Sequence, residues 1–206
     1  MTATDPLAFW NARFSAPGYR FGTEPNRFLT RQAHRLRPGQ RALAIADGEG
    51  RNGVWLARQG LEVTSVDFSP VALEKARKLA QEAGVTVTFV EADLVAWDWP
   101  KAVFDVVVGI FFQFAGPADR AKIFQGMKAA LKPGGLLLIE GYGPKQLEYK
   151  TGGPGVLENL YTEDLLREAF GDFEIIELRS YDAEIHEGEG HKGVSALVDL
   201  VARKPG

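Results

Sequence analysis

Short apolar runs alternate with longer amphipathic runs along most of the chain, beginning near Arg41. The apolar runs predict buried strands, and the amphipathic runs, in which apolar residues recur every three or four positions, predict helices. The predicted strands cover residues 41–46, 62–67, 85–91, 104–109, 136–140, 173–180 and 195–203. The predicted helices cover residues 50–59, 69–83, 117–131 and 162–169.

The order of these elements predicts the topology of the sheet. Strands that alternate with helices form right-handed crossovers and a parallel sheet. The last two strands have no helix between them, and a short link requires an antiparallel pair. The prediction is a Rossmann-like α/β fold: a seven-stranded, mostly parallel sheet with the last strand antiparallel and helices on both faces. We expect one domain over residues 1–206, with residues 1–38 as a helical, lid-like segment and residues 39–206 as the core.

Composition and charge narrow the possible functions. The chain contains no cysteine, which excludes disulfides, thiolate catalysis and cysteine-based metal sites. A net charge of −3 argues against a general nucleic-acid-binding surface. No apolar run approaches the ~20 residues that a membrane span requires, and residues 1–6 show no signal-peptide pattern. We therefore expect a cytoplasmic protein, monomeric or homodimeric, that acts on neither nucleic acid nor membrane.

A glycine-rich turn with the sequence DGEGRNG, residues 47–53, joins the first predicted strand to its helix. Its glycines allow a ligand to approach the backbone, and the following helix offers free N–H groups. Tight packing is the alternative explanation for such a turn. Asp67 ends the second strand, about 20 residues further on, where an acid accepts hydrogen bonds from ribose hydroxyls in nucleotide-binding sheets. A helix-capping role for Asp67 is weaker, because Ser69 fills it.

An acidic segment, Glu91 to Leu94, follows the third strand. Its Asp93 can accept a hydrogen bond from an adenine amino group, although a solvated loop acid would look the same. The glycine-rich turn, Asp67 and Asp93 all fall at the carboxyl ends of consecutive strands, where ligands bind in such sheets. Their coincidence predicts an adenosine-containing ligand.

Several long runs carry a family resemblance: ALAIADGEGRNGVWLARQGLEVTSVDFSPVALEKARKLA, then EADL, FDVVVGIFFQF and LKPGGLLLIEGYGP. They resemble the class I S-adenosylmethionine-dependent methyltransferases. Within these, the chain is similar to the small bacterial branch near tellurite-resistance protein B and the thiopurine methyltransferases, as are its YRFGTEPNRFL and TGGP segments. The resemblance covers about residues 10–204 and implies S-adenosylmethionine as the cofactor.

The resemblance also implies where the cofactor binds. The glycines of the first turn would hold its methionine part, the end of the second strand its ribose, and the end of the third strand its adenine. The end of the fourth strand would lie beneath the sulfonium. The cofactor-binding residues so implied are Asp47, Gly48, Glu49, Gly50, Asn52, Asp67, Phe68, Asp93, Leu94, Gly109, Ile110 and Phe111.

One departure from the family pattern affects the first turn. The family usually has an acid two residues before its first glycine, whereas this chain has Ala44 and Ala46 there. Asp47 or Glu49 is a possible substitute from a shifted position. The contact to the amino group of the cofactor is therefore open.

Three segments can cover an acceptor: residues 19–26, 141–153 and 184–193. We predict catalytic roles for Tyr19, Tyr142 and His191, with His191 as a general base. A structural or exposed His191 is the alternative, His186 is a weaker candidate, and we predict no metal site.

The acceptor itself is only partly defined by the sequence. The segment after the fourth strand, GIFFQF, lacks the Asn/Asp-Pro-Pro-aromatic motif of enzymes that methylate amino groups of DNA or protein glutamine. This favours a small-molecule acceptor such as a thiol or a chalcogen oxyanion. Two other functions stay open: a module that binds S-adenosylmethionine or its demethylated product without catalysis, and an NAD-dependent oxidoreductase. The turn lacks a clean G-x-G-x-x-G pattern, which disfavours the second.

Overall fold

The computed structural model describes residues 5–206. Most of residues 1–6, where the sequence shows no signal-peptide pattern, therefore lies outside the described residues. The strands are β1 Arg41–Ile45, β2 Glu62–Asp67, β3 Val87–Glu91, β4 Phe104–Ile110, β5 Leu131–Tyr142, β6 Glu174–His186 and β7 Lys192–Arg203. The helices are α1 Pro6–Phe14, α2 Arg27–Arg31, α3 Arg51–Arg58, α4 Pro70–Glu82, α5 Pro117–Ala130, α6 Gln146–Tyr149 and α7 Glu163–Ala169. Short 3₁₀ helices cover Ala33–Arg35 and Leu157–Asn159.

The seven strands form one sheet in the order β3-β2-β1-β4-β5-β7-β6. Strands β1 to β5 pair in parallel, and β7 lies antiparallel to both β5 and β6. Strand β6 therefore runs in the same direction as β1 to β5. The predicted fold, mostly parallel with the last strand reversed, is confirmed. The strand order changes direction at β1 and β4, which is where ligands bind in open α/β sheets.

Two of the helix starts follow signals that the sequence contains. The Ser69 hydroxyl accepts a hydrogen bond from Ala72 N at 3.2 Å, and Pro70 occupies the first turn of α4. The Thr162 hydroxyl likewise accepts from Leu165 N at 3.1 Å and caps α7. Each cap satisfies an N–H group that has no partner inside its helix.

The apolar core lies on both faces of the sheet. Strand β4 contributes Val107 to the cluster that packs under α5 and α7. Its neighbours in the strand, Val106 and Val108, belong to the cluster that packs under α2 and α3. Since successive side chains of a strand point to opposite faces, a continuous apolar run is what a strand buried on both sides requires. The elements at the carboxyl ends of the strands are thus carried on a rigid base.

The two ends of the chain differ most from the sequence prediction. Strands β6 and β7 form a longer hairpin than predicted, because residues 181–186 continue β6 and β7 begins at residue 192 instead of 195. Only Ile185 in this extension of β6 is buried, so the polar residues beside it resemble a loop. The turn itself is reduced to residues 187–191. The N-terminal segment contains α1 and α2, joined by residues 15–26.

Among residues 5–206, no helix is both long and apolar enough to span a lipid bilayer.

Candidate active site

The ends of β1 and β4 are adjacent, since Ile45 pairs with Gly109. The residues that follow these ends, Ala46 and Phe111, adopt positive φ angles of 46° and 53°. Such angles cost residues with a Cβ atom about 1–3 kcal/mol each and are concentrated at functional sites. Both strands therefore turn sharply at the edge where the sequence predicts a ligand.

Asp47 is held inside the turn between β1 and α3. Its carboxylate accepts hydrogen bonds from Gly53 N at 3.1 Å and from the Ser65 hydroxyl at 2.8 Å. Burial raises the pKa of Asp47 to about 7, and the nearby Asp67 carboxylate adds to this effect, although the two hydrogen bonds oppose it. Asp47 thus stabilises the turn with protein partners rather than projecting from it.

Asp67 braces the turn from the neighbouring strand. Its carboxylate accepts Gly48 N and Ser69 N, each at 2.9 Å and each on a different oxygen. Burial raises the pKa of Asp67. A carboxylate oxygen accepts two hydrogen bonds, so each oxygen of Asp67 can accept one more. Its position at the end of β2 matches the predicted contact with ribose hydroxyls.

Two of the three glycines in the turn, Gly48 and Gly50, are required by different structural constraints. A Cβ atom at Gly50, which has a φ of 87°, would lie 2.7 Å from the Cβ atom of Ala76 on α4. Packing against α4 therefore requires Gly50. At Gly48, with a φ of 56°, an added Cβ would meet the Phe14 ring at 3.4 Å, an ordinary contact distance. The positive φ and the hydrogen bond to Asp67 account for Gly48.

The end of β3 is more open than the ends of β1 and β2. Asp93 is exposed, and its side chain accepts Val95 N at 2.9 Å. Leu94 is buried in the core beside it, and Phe68 is half-buried after the end of β2. These three residues border one corner of the predicted adenosine site.

Glu49 and Asn52, predicted to bind the cofactor, instead bind the N-terminal segment. Glu49 accepts Arg20 N at 2.7 Å and pairs with Lys75 Nζ at 2.9 Å. Asn52 Oδ1 accepts Asn26 N at 2.9 Å. Both side chains are buried. Glu49 and Asp47 each have protein partners. Neither carboxylate is therefore free to replace the acid that the family usually has where this chain has Ala44 and Ala46.

A buried ion pair joins the same turn to the β6–β7 hairpin. Arg51 and Glu187 lie 2.6 Å apart, with side chains 7% and 6% exposed. Glu187 also accepts Arg27 N at 3.2 Å, and Gly190 N donates to Arg20 O at 3.2 Å. The hairpin and the N-terminal segment therefore form a single two-part cover over the strand ends. Sequence reasoning assigned no role to Arg51 or Glu187, although a basic residue within the glycine-rich turn was visible.

Under this cover, four rings form a continuous stack. The His191 ring lies between Phe21 and Phe111, with centroids 4.5 Å and 4.4 Å away. The Phe111 ring stacks in turn on Tyr142 at 4.6 Å, and the Tyr142 hydroxyl lies 2.5 Å from His191 Nδ1. Burial lowers the pKa of His191 well below its ordinary value, and the charges of nearby arginines, first Arg51, act in the same direction. The imidazole is therefore neutral at physiological pH.

Of the three predicted catalytic residues, the structure brings together Tyr142 and His191 but not Tyr19. The Tyr19 ring packs with Val54 and Leu79 on the outer side of α3 and α4, and its hydroxyl donates to Lys75 O at 3.4 Å. Residues 20 and 21 form a turn, and the Phe21 ring stacks on His191 instead. Phe21 was not predicted, because a single aromatic residue in a turn-rich segment gives no distinguishing signal.

A second buried polar cluster lies beside the stack. The Asn26 amide donates to Glu140 and, at 3.2 Å, to Glu187. Burial raises the pKa of Glu140 well above its ordinary value, and the carboxylates of Asp199 and Glu187 raise it further. Residues 5–206 contain no group of three or more side chains suited to a metal ion.

Comparison with known proteins connects this geometry to a family. Residues 42–135 match the family model described as a methyltransferase domain. Demethylmenaquinone methyltransferase from Thermus thermophilus is 36% identical over 107 residues, which cover 51% of this chain and 48% of that relative. The chain spans about half the length of the curated relatives it matches.

Two solved structures are similar over nearly all of the chain. The N-methyltransferase NodS from Bradyrhizobium japonicum, in complex with S-adenosyl-l-homocysteine, has a TM-score of 0.76 at 15% identity and covers 97% of this chain and 98% of its own. TehB from Haemophilus influenzae has a TM-score of 0.73 at 19% identity and covers 96% of this chain and 66% of its own. At these identities the likeness shows a shared fold. The family match, which covers less than half of the chain, marks residues 42–135 as similar to a methyltransferase domain, of the kind that uses S-adenosylmethionine as its cofactor.

Proposed function

We propose that the whole protein transfers a methyl group from S-adenosylmethionine to a small-molecule acceptor. One observation carries the proposal: the ends of β1, β2 and β4, the N-terminal segment and the β6–β7 hairpin all meet at one edge of the sheet. Residues 1–38 would serve as the covering segment and residues 39–206 as the core. The acceptor would lie in a chamber beside the ring stack of Phe21, His191, Phe111 and Tyr142.

The residues at this edge fit the cofactor. Asp67 retains acceptor capacity for ribose hydroxyls, and the exposed Asp93 can accept the adenine amino group. Near His191, the Nε atoms of Arg13 and Arg20 are buried and have no hydrogen-bond partner among residues 5–206. Burial lowers the pKa of Arg13, and the neighbouring Arg20 charge lowers it further. Within the described part of the chain, neither Arg13 nor Arg20 forms a salt bridge, and the carboxylate of the methionine part would supply an anion.

The chemistry asks little of the protein beyond positioning. The bound cofactor supplies a methyl group on a positively charged sulfur, which is already activated for in-line displacement. The chamber residues would hold the acceptor about 3 Å from that methyl group and exclude water. Aromatic faces such as that of Phe111 would favour the cationic donor. The Arg51–Glu187 pair would keep the hairpin closed over the chamber while transfer occurs.

The acceptor class follows from what the chamber contains. The chamber is covered on two sides by chain segments, which favours a small molecule over a nucleic acid or a protein. Its electrostatic surroundings combine Arg13, Arg20 and Arg51 with the acidic side chains of Glu187 and Glu140, so the acceptor class rests on the enclosure and not on the charge. We propose a thiol, a chalcogen oxyanion or a similar acceptor, in a cytoplasmic enzyme of the small bacterial branch near tellurite-resistance protein B.

Two measurements test the proposal. Titration calorimetry with S-adenosylhomocysteine should detect binding, and Asp67→Ala should weaken that binding by more than about 1 kcal/mol, the cost of losing a hydrogen bond to a charged group. Asp98→Ala, on the exposed loop before β4, is the matched control. A transfer screen with radiolabelled S-adenosylmethionine against thiols and chalcogen oxyanions then tests turnover. Binding without turnover would favour a binding module, and thermal stabilisation by NAD alone would favour an oxidoreductase.

A further inference from the structure

Two buried acids face each other on adjacent antiparallel strands of the sheet. Glu140 on β5 pairs with Asp199 on β7, and the two residues are 2% and 0% exposed. Directly opposite residues of such a pair place their side chains on the same face of the sheet. The Tyr181 hydroxyl lies 3.4 Å from Glu140 Oε1 and 3.3 Å from Asp199 Oδ1, so these two oxygens face the same hydroxyl group. The two carboxyl groups are therefore hydrogen-bonding neighbours.

The cations near this pair bind Asp199 and not Glu140. Arg31 lies 2.7 Å and Arg179 lies 3.1 Å from Asp199 Oδ2. Among residues 5–206, no lysine, arginine or histidine lies at salt-bridge distance from Glu140, whose Oε2 accepts a hydrogen bond from the Asn26 amide. A buried charge without a paired cation is costly. Asp199 therefore carries the negative charge, and Glu140 keeps its proton.

The proton of Glu140 lies between the two acids. Asn26 occupies Oε2, which leaves Oε1 as the oxygen that faces Asp199 Oδ1. The arginines bind Oδ2, so Oδ1 can accept this proton directly or through the Tyr181 hydroxyl. Burial raises the pKa of Glu140 well above its ordinary value, and the Asp199 charge acts in the same direction. One proton is thus bound by two acids.

The Asn26 amide connects this pair of acids to the cover. It donates to Glu140 and, at 3.2 Å, to Glu187 of the hairpin, whose charge is matched by Arg51. While Glu140 is neutral, the carboxylates of Glu187 and Asp199 each have an arginine partner. An ionised Glu140 would add a third carboxylate without a cation, and it would repel the Glu187 side chain that holds the hairpin. The charged and titratable side chains that face Glu140 are Arg31, Arg51, Tyr142, Tyr181, Glu187 and Asp199.

We propose that Glu140 and Asp199 share a proton that keeps the cover closed, and that the cover opens more readily when this proton is lost at higher pH. Asn26 belongs to the cover and is 1% exposed where it packs on Glu140, so opening of the cover exposes Glu140 to water. The pKa of Glu140 then returns toward its ordinary value of 4.5. The equilibrium constant for opening therefore rises with pH between the two pKa values, by up to about tenfold per pH unit, and is constant outside this window.

Carbon-13 NMR on the full chain tests whether Glu140 is protonated. Glutamate labelled at its side-chain carboxyl carbon gives different shifts for the acid and the carboxylate, while aspartate stays unlabelled. Either Glu140→Gln or Glu140→Asp removes the Glu140 signal, so the assignment does not depend on the folding of one variant. At pH 7 we expect the acid form of Glu140 and the carboxylate form of Glu174, which is exposed on β6. An ionised Glu140 at this pH would overturn the proposal.

Hydrogen exchange tests the link between this proton and the cover. Glu140→Gln replaces the acidic O–H group with an amide N–H group that can still donate to Asp199 but does not ionise. The exchange rate of residues 19–27 and 187–193 in the parent protein, divided by that in Glu140→Gln at the same pH, should increase by about tenfold or more from pH 5 to pH 8. The same ratio for Glu174→Gln, the exposed control, should not change with pH. A constant ratio for Glu140→Gln would refute the link. Neither measurement involves the cofactor, so the outcome is independent of the proposed function.

Discussion

Replacing Asp47 with asparagine tests whether the turn between β1 and α3 holds a buried, protonated acid. The pKa of Asp47 is about 7 in the folded protein, against an ordinary value of 3.8. Between pH 4 and pH 7, the folded state therefore keeps a proton that the unfolded state has released. Stability falls as the pH rises through this window and changes no further above it. A difference of roughly three pH units corresponds to about 4 kcal/mol as an upper limit.

Asp47→Asn removes this pH dependence while keeping the shape. The amide oxygen, at the position of Oδ2, can still accept hydrogen bonds from both Gly53 N and the Ser65 hydroxyl. As upper limits, we expect the variant to exceed the free energy of unfolding of the parent protein by roughly 1.5 kcal/mol at pH 5 and by about 4 kcal/mol at pH 8. Urea unfolding at both pH values measures this difference, with Asp98→Asn as the exposed control. Glu140 titrates in parent and variant alike, so its contribution cancels. A difference that is the same at both pH values would refute the assignment.

Three further predictions concern the cover and the strained backbone. Arg51→Ala or Glu187→Gln should lower the free energy of unfolding by about 3–5 kcal/mol, because each leaves a buried group unpaired. An Arg51→Met/Glu187→Met double variant should lose less than the sum of the two single losses. A loss equal to that sum would contradict the prediction. Ala46→Gly should raise the free energy of unfolding by about 0.5–1 kcal/mol in urea, because it relieves a positive φ angle; a loss would show that the angle is not strained. Gly190→Ala places a Cβ atom 2.2 Å from the Phe21 ring, so it should speed proteolysis of the N-terminal segment. The control is Gly155→Ala, whose added Cβ atom meets nothing within 4 Å. An equal effect of both variants would argue against the contact with Phe21.

Features that depend on neighbours in sequence could be predicted. Ser69 and Pro70 give the start of α4 because a cap bonds within three residues of itself. The apolar run from Phe104 gives β4 because a strand buried on both faces needs no polar side. The position of Asp67 at the end of β2 could likewise be predicted, because the strand that it ends is recognised from adjacent residues. Each of these signals can be recognised before any tertiary contact is known.

Features that depend on distant partners could not be predicted. Arg51 and Glu187 are separated by 136 positions, and neither has a local signal that points to the other. The last residues of the edge strand β6 are mostly polar and resemble a turn in sequence. They form a strand because they pair with β7, up to His186. The same holds for Phe21, whose role appears only when the hairpin brings His191 against it.

The glycine-rich turn joins these two kinds of information. Its sequence resembles a cofactor motif, yet Glu49, Arg51 and Asn52 contact the cover, and Asp47 contacts the turn itself. Under the proposed function, the motif would serve two purposes at adjacent positions: the backbone around Gly48 would face the cofactor, and the side chains on either side contact the N-terminal segment and the hairpin. A displacement of this backbone must also move the anchors of the cover, because they belong to the same few residues. In the proposed complex, occupation of the turn and closure of the cover would be linked through these shared residues.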